Sequence, residues 1–467
     1  MISPTLDTDP KVIFSLVPMN PGAFEVVNNP LNNHLFKRED GRNEINVFFD
    51  PTTSAGLFPS VMGRTGHIIV DRIGISKFHC SFSIHMETGE ILLVDHSPSH
   101  TLEFYGNNVR QFVVDGLHAP AVVIDAKVNR QFGFGGTGAS WFKWKIKWYK
   151  EPPIDVEAWA RGSGNHRFGQ DCTVRDFPPT QRLEHCALEN RFLHREKLVD
   201  KTLTKVQKAV DAYSGQYVAI KTVTLPHDLR RFRMLEEACD YTDLVHPHII
   251  EFLQVEISQT HFNLVMDLQD GNIEELGLED QEFAHAEHLF SPTDNVARPL
   301  LHQMLSALDY LASKDIIHRD VKPQNILYRR VNGSMHYRLA DFGVATSDPE
   351  DQYGVGSTRF KAPEVLFRRS KRTHTTKIDV WSLWATLIWV FDLYKPPQIG
   401  KFRDILIQDD GREEKIVNEV QKLAKYHGPA FVTMARLIPK QRASAAELLD
   451  SMFGGVGRIT GNTRRGA

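Results

Sequence analysis

The stretch "HRDVKPQNILYRRVNGSMHYRLADFG", His318 to Gly343, decides how the rest of the chain is read. Within six residues it sets a carboxylate, Asp320, an ammonium, Lys322, and a carboxamide, Asn325; a second carboxylate, Asp341, follows. Carboxylate and carboxamide oxygens are hard donors of the kind that small divalent cations accept. Upstream, the strand-like run "YVAIKTV" carries Lys221. Downstream come "APE" (Ala362 to Glu364), "DVWS" (Asp379 to Ser382) and Arg442 in "PKQRAS". Each segment alone is a weak signal; their order and spacing carry the information.

The bulk composition sets limits. The 467 residues, 41% hydrophobic and 24% charged, suggest two or three globular domains. A formal net charge of -3 gives no reason to expect nucleic acid or an anionic membrane as a partner. Cys80, Cys172, Cys186 and Cys239 are scattered without a CxxC pair, so neither a zinc site nor a disulfide framework is expected. The opening "MISPTLDTDPKVIF" lacks the charged and apolar regions of a signal peptide, and no apolar run reaches membrane-spanning length. The expectation is an intracellular protein. The nucleus is expected over the cytoplasm; the basic run "RRSKR", Arg368 to Arg372, reads first as a solvated charged loop, with a nuclear-import or acidic-partner patch as the alternative.

The texture changes along the chain. Residues 10–150 hold short apolar runs such as "KVIFSLV", "HCSFSIHM", "ILLVDH" and "FKWKIKWY", separated by Asn, Gly, Pro and Asp turns. That rhythm predicts a β-sandwich or barrel. Residues 151–189 are rich in Pro, Gly and polar residues and read as a linker. From 190 onward a small mixed region gives way to helical windows, including "VARPLLHQMLSALDYLASK", "KIDVWSLWATLIWVFDLY" and "SAAELLDSMF". The tail, 456–467, is small, polar and basic and is expected to fray.

On these motifs, residues 190–455 closely resemble the eukaryotic protein kinases. The resemblance implies a bilobal α+β domain, small lobe 190–268 and large lobe 269–455, using ATP and Mg²⁺ on protein substrates. It implies that Asp320 orients the substrate hydroxyl, that Lys322 steadies the transferring phosphate, and that Asn325 and Asp341 hold the metal ions. Lys221 would hold the α- and β-phosphates, clamped by Glu237 (Glu236 as fallback). Met266 would be the gatekeeper, the backbone of Asp267 and Leu268 would meet adenine, and Val206 would belong to the ATP-binding residues. Lys322 two residues after the aspartate, with "GSTRFKAPE", resembles the Ser/Thr-specific subset; Ser357 would bond the Asp–Lys pair. Arg319 implies control by a phosphorylated activation segment, with Thr358 and Ser347 as candidate sites. Glu364 and Arg442 would form a buried structural pair, and Trp384 stands where the family usually has glycine.

One departure concerns the phosphate loop. "VDKTLTKV" places Val199, Lys201 and Thr204 on the three glycine positions, and no glycine occurs between Gly169 and Gly215. Glycine lets backbone N–H groups approach phosphate and lets the loop flex. Two expectations follow: ATP under a stiffer β-ribbon, with Lys201, Lys205 or the threonine hydroxyls as contacts, or a pseudokinase scaffold.

In the β-rich region, "MGRTGHIIVDRIGISKFHCSF" and "ILLVDHSPSHTLEFYGNN" resemble the FHA domain, a sandwich that binds phosphothreonine peptides. The resemblance implies phosphopeptide contacts at Arg64, Ser76, Lys77, Ser99 and Thr101, with His79 bracing the loop. Ser99-His100 replaces the family's Asn-Gly pair. The combined expectation is multidomain: an all-β FHA-type sandwich, then a kinase domain, resembling the checkpoint and meiotic FHA kinases. Phosphothreonine-bearing proteins would be partners, and Thr173 or Thr180 could support phospho-dependent self-association.

Overall fold

The computed structural model describes residues 12–35, 43–50, 52–107, 109–114, 119–156, 191–201, 204–225, 241, 243–258, 260–279, 296–331, 333–343, 345–346, 358–367, 374–392 and 413–461. The chain forms two compact units, Met1–Lys221 and Thr222–Ala467. The boundary falls inside the kinase-like sequence, 32 residues beyond the end of the linker at 189. The reason lies in three strands described below, which pack with the sandwich.

In the first unit, β1 (Val12–Pro18), the short helix α1 (Pro21–Val27), β2 (Ile45–Phe49), β3 (Leu57–Phe58), β4 (Val61–Gly63), β5 (Ile68–Ile69) and β6 (Cys80–Ile84) come first. They are followed by β7 (Ile91–Asp95), β8 (Glu103–Phe104), β9 (Ala121–Ile124), β10 (Gln131–Phe134) and β11 (Phe142–Trp148). Two sheets result, ordered β3-β2-β1-β11-β10-β8 and β5-β4-β6-β7-β9. Period-2 alternation builds the layer between them. Phe142, Trp144 and Ile146 of β11 point inward while Lys143, Lys145 and Lys147 point out. Phe14, Phe82 and Phe132, from both sheets, meet edge to face across the core. The β-rich expectation therefore describes this region. The helix α1 was not expected; Asn20 caps it, accepting from Ala23 N at 3.1 Å, with Pro21 at the first turn.

The same unit continues into β12 (Phe192–Asp200), β13 (Thr204–Asp211) and most of β14 (Tyr217–Thr224), whose last three residues lie beyond its border at Lys221. β12 and β13 form an antiparallel hairpin whose ladder runs to Asp200↔Lys205, with irregularities after His194 and Lys197.

In the second unit, β15 (Phe252–Ile257) pairs with β16 (His261–Asp267). Below them β17 (Gly271–Asn272), the helix α2 (Ile273–Glu279), α3 (Ala297–Ser313), β18 (Ile326–Val331) and β19 (Ser334–Leu339) follow. β17-β18-β19 make a small sheet. The helices α4 (Pro363–Leu366), α5 (Lys377–Asp392), α6 (Glu413–His427), α7 (Pro429–Met434) and α8 (Ala445–Phe453) complete it. None of the described helices is long and apolar enough to cross a membrane. Trp384 on α5 is buried, donates its indole N–H to Val420 O of α6 at 3.1 Å, and lies 4.7 Å from the Phe431 ring of α7.

One expectation is corrected here. Residues 456–461, assigned to a fraying tail, are tied to α3. Asp309 accepts from Ile459 N at 2.6 Å and Thr460 N at 2.9 Å, and Ser306 donates to Gly457 O at 3.0 Å. A buried carboxylate needs such donors, and a polar, glycine-rich segment can supply backbone N–H groups as readily as it can fray. Residues 462–467 lie outside the described set.

Candidate active site

The loop between α3 and β18 is fixed from below by one buried carboxylate. Asp379, at the first turn of α5, accepts from His318 N and Arg319 N, both at 2.8 Å. Burial pushes its carboxyl up to about 7, against the two backbone N–H donors that pull it down. His318 is fully buried; its Nε2 lies 3.1 Å from Ala340 O, and burial lowers its pKa to about 4. Ala340 N in turn donates to Asn325 O at 2.8 Å. Those two bonds join the loop to the segment that carries Asp341.

Above this base the chemical side chains converge. Lys322 Nζ lies 2.6 Å from Asp320 Oδ2. Asn325 Nδ2 donates to the same oxygen at 3.0 Å and to Asp320 O at 2.8 Å. Asn325 spends its N–H₂ group on Asp320, which leaves its carbonyl oxygen as the hard donor toward a cation. Asp341 adopts φ of 67°, and a Cβ on Gly343 would come within 3.3 Å of Asp341 Oδ1, so glycine keeps that carboxylate uncrowded. The oxygen donors of Asn325 and Asp341 have the chemistry that Mg²⁺ accepts.

The structure brings Asp320, Lys322, Asn325 and the Asp341 segment together. Lys221 lies on β14 in the first unit; Val206, Lys201 and Thr204 lie on or beside the β12–β13 hairpin there. Val206 pairs with Val199, and Lys201 N donates to Thr204 O at 3.0 Å, in the stretch that lacks the expected glycines. Met266 is buried near the end of β16. The Asp267 side chain is held by Arg338 at 2.8 Å. Leu268 follows directly after that strand. Glu237, Glu236, Ser347, Ser357, the Thr358 side chain, Arg368 to Arg372, Thr173 and Thr180 lie outside the described residues.

Sequence reading missed one aromatic group. Phe342 packs against His318 (4.9 Å), Tyr241 (5.7 Å) and Phe252 (6.4 Å). Phe342 was noted only as part of "DFG", and nothing local in "EEACDYTDL" marks Tyr241 as its neighbour. Glu364 and Arg442 form a bidentate pair at 2.7 and 2.9 Å with Arg442 fully buried.

Residues 196–453, more than half of the chain, match the family model for the protein kinase domain. The chain belongs to the protein kinase family. This kinase is similar to a probable serine/threonine-protein kinase KIN1 homolog of Enterocytozoon bieneusi, 33% identical over 41% of this chain and 31% of that protein. It is similar to the calcium/calmodulin-dependent protein kinase cmkA of Emericella nidulans, 28% identical over 52% of this chain and 58% of the relative. Cyclin-dependent kinase D-1 of Arabidopsis thaliana is 27% identical over 56% of this chain and 66% of its own length. The kinase thus spans between about a third and two thirds of these relatives. A protein kinase domain implies ATP and, typically, Mg²⁺.

A second group of expected residues gathers at one end of the β5-β4-β6-β7-β9 sheet. Register puts the end of β4, the start of β6 and the end of β7 side by side, through Met62↔Cys80 and Cys80↔Asp95. Arg64 N donates to Ser76 O at 3.0 Å, and Arg64 Nε to Ile75 O at 2.7 Å. His79 Nδ1 accepts from Ser76 N at 3.2 Å, and its Nε2 lies 3.0 Å from Thr101 Oγ1. Burial lowers the His79 pKa, which favours the neutral ring these bonds require. A Cβ on Gly63 would lie 2.3 Å from Lys77 O, so glycine permits the two loops to touch. Arg64, Lys77, Ser99 and His100 are exposed around this end.

Proposed function

We propose that the chain is a serine/threonine protein kinase that transfers the ATP γ-phosphate to protein hydroxyls and is recruited by an FHA-type sandwich to phosphothreonine-bearing proteins. The observation that carries the kinase half is the Asp320 carboxylate, aimed by Lys322 Nζ at 2.6 Å and Asn325 Nδ2 at 3.0 Å on a loop anchored to buried Asp379. Asp320 accepts the proton of the attacking hydroxyl, and Lys322 offsets charge on the phosphoryl oxygens. Bound Mg²⁺ would neutralise the polyphosphate; Asn325 and Asp341 are the residues that would hold it. Serine/threonine specificity rests on Lys322 at two residues after Asp320 and on the names of the relatives.

The recruitment half is supported by the two adjoining loops that carry Arg64, Ser76 and Lys77, joined by Arg64 N–Ser76 O and braced by His79 at Ser76 N; a guanidinium, a hydroxyl and an ammonium are the groups that suit a phosphate dianion. Self-association through phosphorylated Thr173 or Thr180, and a nuclear location, belong to the same proposal. One observation favours a second reading, a phosphopeptide-binding scaffold: the hairpin stretch 199–206 holds no glycine.

A thermal-shift titration with Mg-ATP separates the readings, because a ligand that binds only the native state raises the melting temperature. No shift at millimolar nucleotide sinks the enzyme. Given a shift, Asp320→Asn should retain it while phosphate transfer to protein substrates falls by at least about a hundredfold. Arg64→Ala should abolish phosphothreonine-peptide binding measured by fluorescence anisotropy; unchanged affinity would overturn the site.

A further inference from the structure

The β12–β13 hairpin, aligned in sequence with the kinase phosphate loop, is seated at its base on the sandwich. The seat is built from the far side of the second sheet. β7, "ILLVD", is buried on both faces: Ile91 and Leu93 enter the sandwich core, while Leu92 points the other way. β9 does the same, with Val122 and Ile124 in the core and Val123 outward. Leu92, Val123 and Val128 then form a separate apolar cluster with Leu193 of β12, Val210 of β13 and Ala212. Val123 N donates to Ala212 O at 2.7 Å, a main-chain bond across the seam.

Polar contacts close the edge of that cluster. The Glu90 carboxylate is fully buried and takes both arms of Arg195, at 2.8 and 2.9 Å. Arg195 also reaches Asp125 Oδ2 at 3.0 Å. Tyr217 of β14 donates to Thr88 O at 3.1 Å, and Thr88 Oγ1 donates to Gly215 O at 2.8 Å. Gly215 is the first glycine after the loop that lacks them. It adopts φ of +76°, and a Cβ there would lie 2.9 Å from Leu92 Cδ1. This glycine therefore admits the sandwich, not a nucleotide.

The β6–β7 pair has two working ends. One carries the Ser76–His79 and Asp95–Thr101 loops; the other carries the His85–Glu90 turn that receives Arg195 and Gly215. We propose that the sandwich is the rigid base of the nucleotide-covering hairpin, and that Arg195 and Glu90 are positioning residues for ATP. The hairpin continues its ladder to Asp200↔Lys205, with irregularities after His194 and Lys197. Held at its root by a buried ion pair and an apolar face, it takes its angle over the phosphates from the sandwich instead of from glycine mobility. The nucleotide half of this inference rests on the kinase reading; the seam itself does not.

Two measurements on the full chain keep these apart. Hydrogen exchange, read without nucleotide, should show faster exchange in Arg195→Met at 192–211 and at 88–92 and 121–124 together. ATP titration of the same variant should show KM raised roughly tenfold or more, within the ~100-fold that a displacement of about 1 Å can cost, with kcat within about twofold. Arg195→Lys should restore part of both. Exchange that rises on one side only, or on neither, overturns the seam. Exchange that rises on both sides with KM unchanged overturns the positioning role. A wild-type chain that binds no Mg-ATP refutes the kinase reading and the positioning role with it, and the exchange result still decides the seam. If Arg195→Met does not fold, Glu90→Gln keeps the shape of the partner and carries the same readouts.

Discussion

Two non-glycine residues in the candidate active site, Arg319 and Asp341, sit at φ of 66° and 67°. Such backbone costs on the order of 1–3 kcal/mol per residue and persists where surroundings over-determine it. Asp379 supplies part of that determination by taking the N–H groups of His318 and Arg319. Ile317 and Thr346 add a reciprocal pair of main-chain bonds at 2.9 Å. Burial also makes the region sensitive to acid. His318 and His246 are each held with pKa lowered to about 4, burial being the leading cause. An unfolded imidazole titrates near 6.5, so the unfolded chain takes protons first as pH falls. Stability present above pH 6.5 is lost between about 6.5 and 4. Asp379 acts oppositely: its raised pKa contributes stability below its ordinary value that is lost as pH rises through about 7. With two such histidines set against one carboxyl, and His248 shifted the same way by burial, the histidines dominate. The melting temperature should drop steadily from pH 6.5 to 4.5, and His246→Gln should reduce the drop. A flat profile would contradict the neutral buried rings.

Trp384 shows how one position organises three helices. Its ring fills the junction of α5, α6 and α7, and its N–H satisfies a carbonyl on α6. Returning it to glycine should lower unfolding stability by about 3–5 kcal/mol, the range for emptying a buried large aromatic site, plus a smaller cost for glycine inside a helix. Urea denaturation measures it, and a loss under about 1 kcal/mol would mean that the helices close over the gap. The motif sequence showed this substitution but not its meaning, because the atoms that surround the indole come from "EEKIVNEVQKLAKYHG" and "PAFVTM", dozens of residues away. Elsewhere legibility followed range of interaction. Asp320, Lys322 and Asn325 could be read because their geometry is set within one loop. The α3, α5 and α8 windows could be read because a helix satisfies its own backbone. The β18–β19 hairpin passed unnoticed, since "ILYRRVNGSMHYRL" alternates weakly and most of its outer residues are polar. α1 is too short to show a period.

At the scale of the molecule, the family match at 196–453 and the compact unit ending at Lys221 do not share a border. A continuous apolar run such as "ILLVD" is the one trace of this in the sequence, for a strand buried on both faces loses its alternation. What covers the second face could not be read from it, because Leu193 and Val210 lie about a hundred residues on. The seam also bears on inheritance. A recombination event within 151–189 would part Leu92 and Val123 from Leu193 and Val210, and Glu90 from Arg195. Each product would carry a bare apolar face, and one would carry an unpaired carboxylate. Descent should therefore treat sandwich and hairpin as a single heritable block. Among descendants of this chain, changes at Glu90 or Leu92 should be accompanied by changes at Arg195 or Gly215.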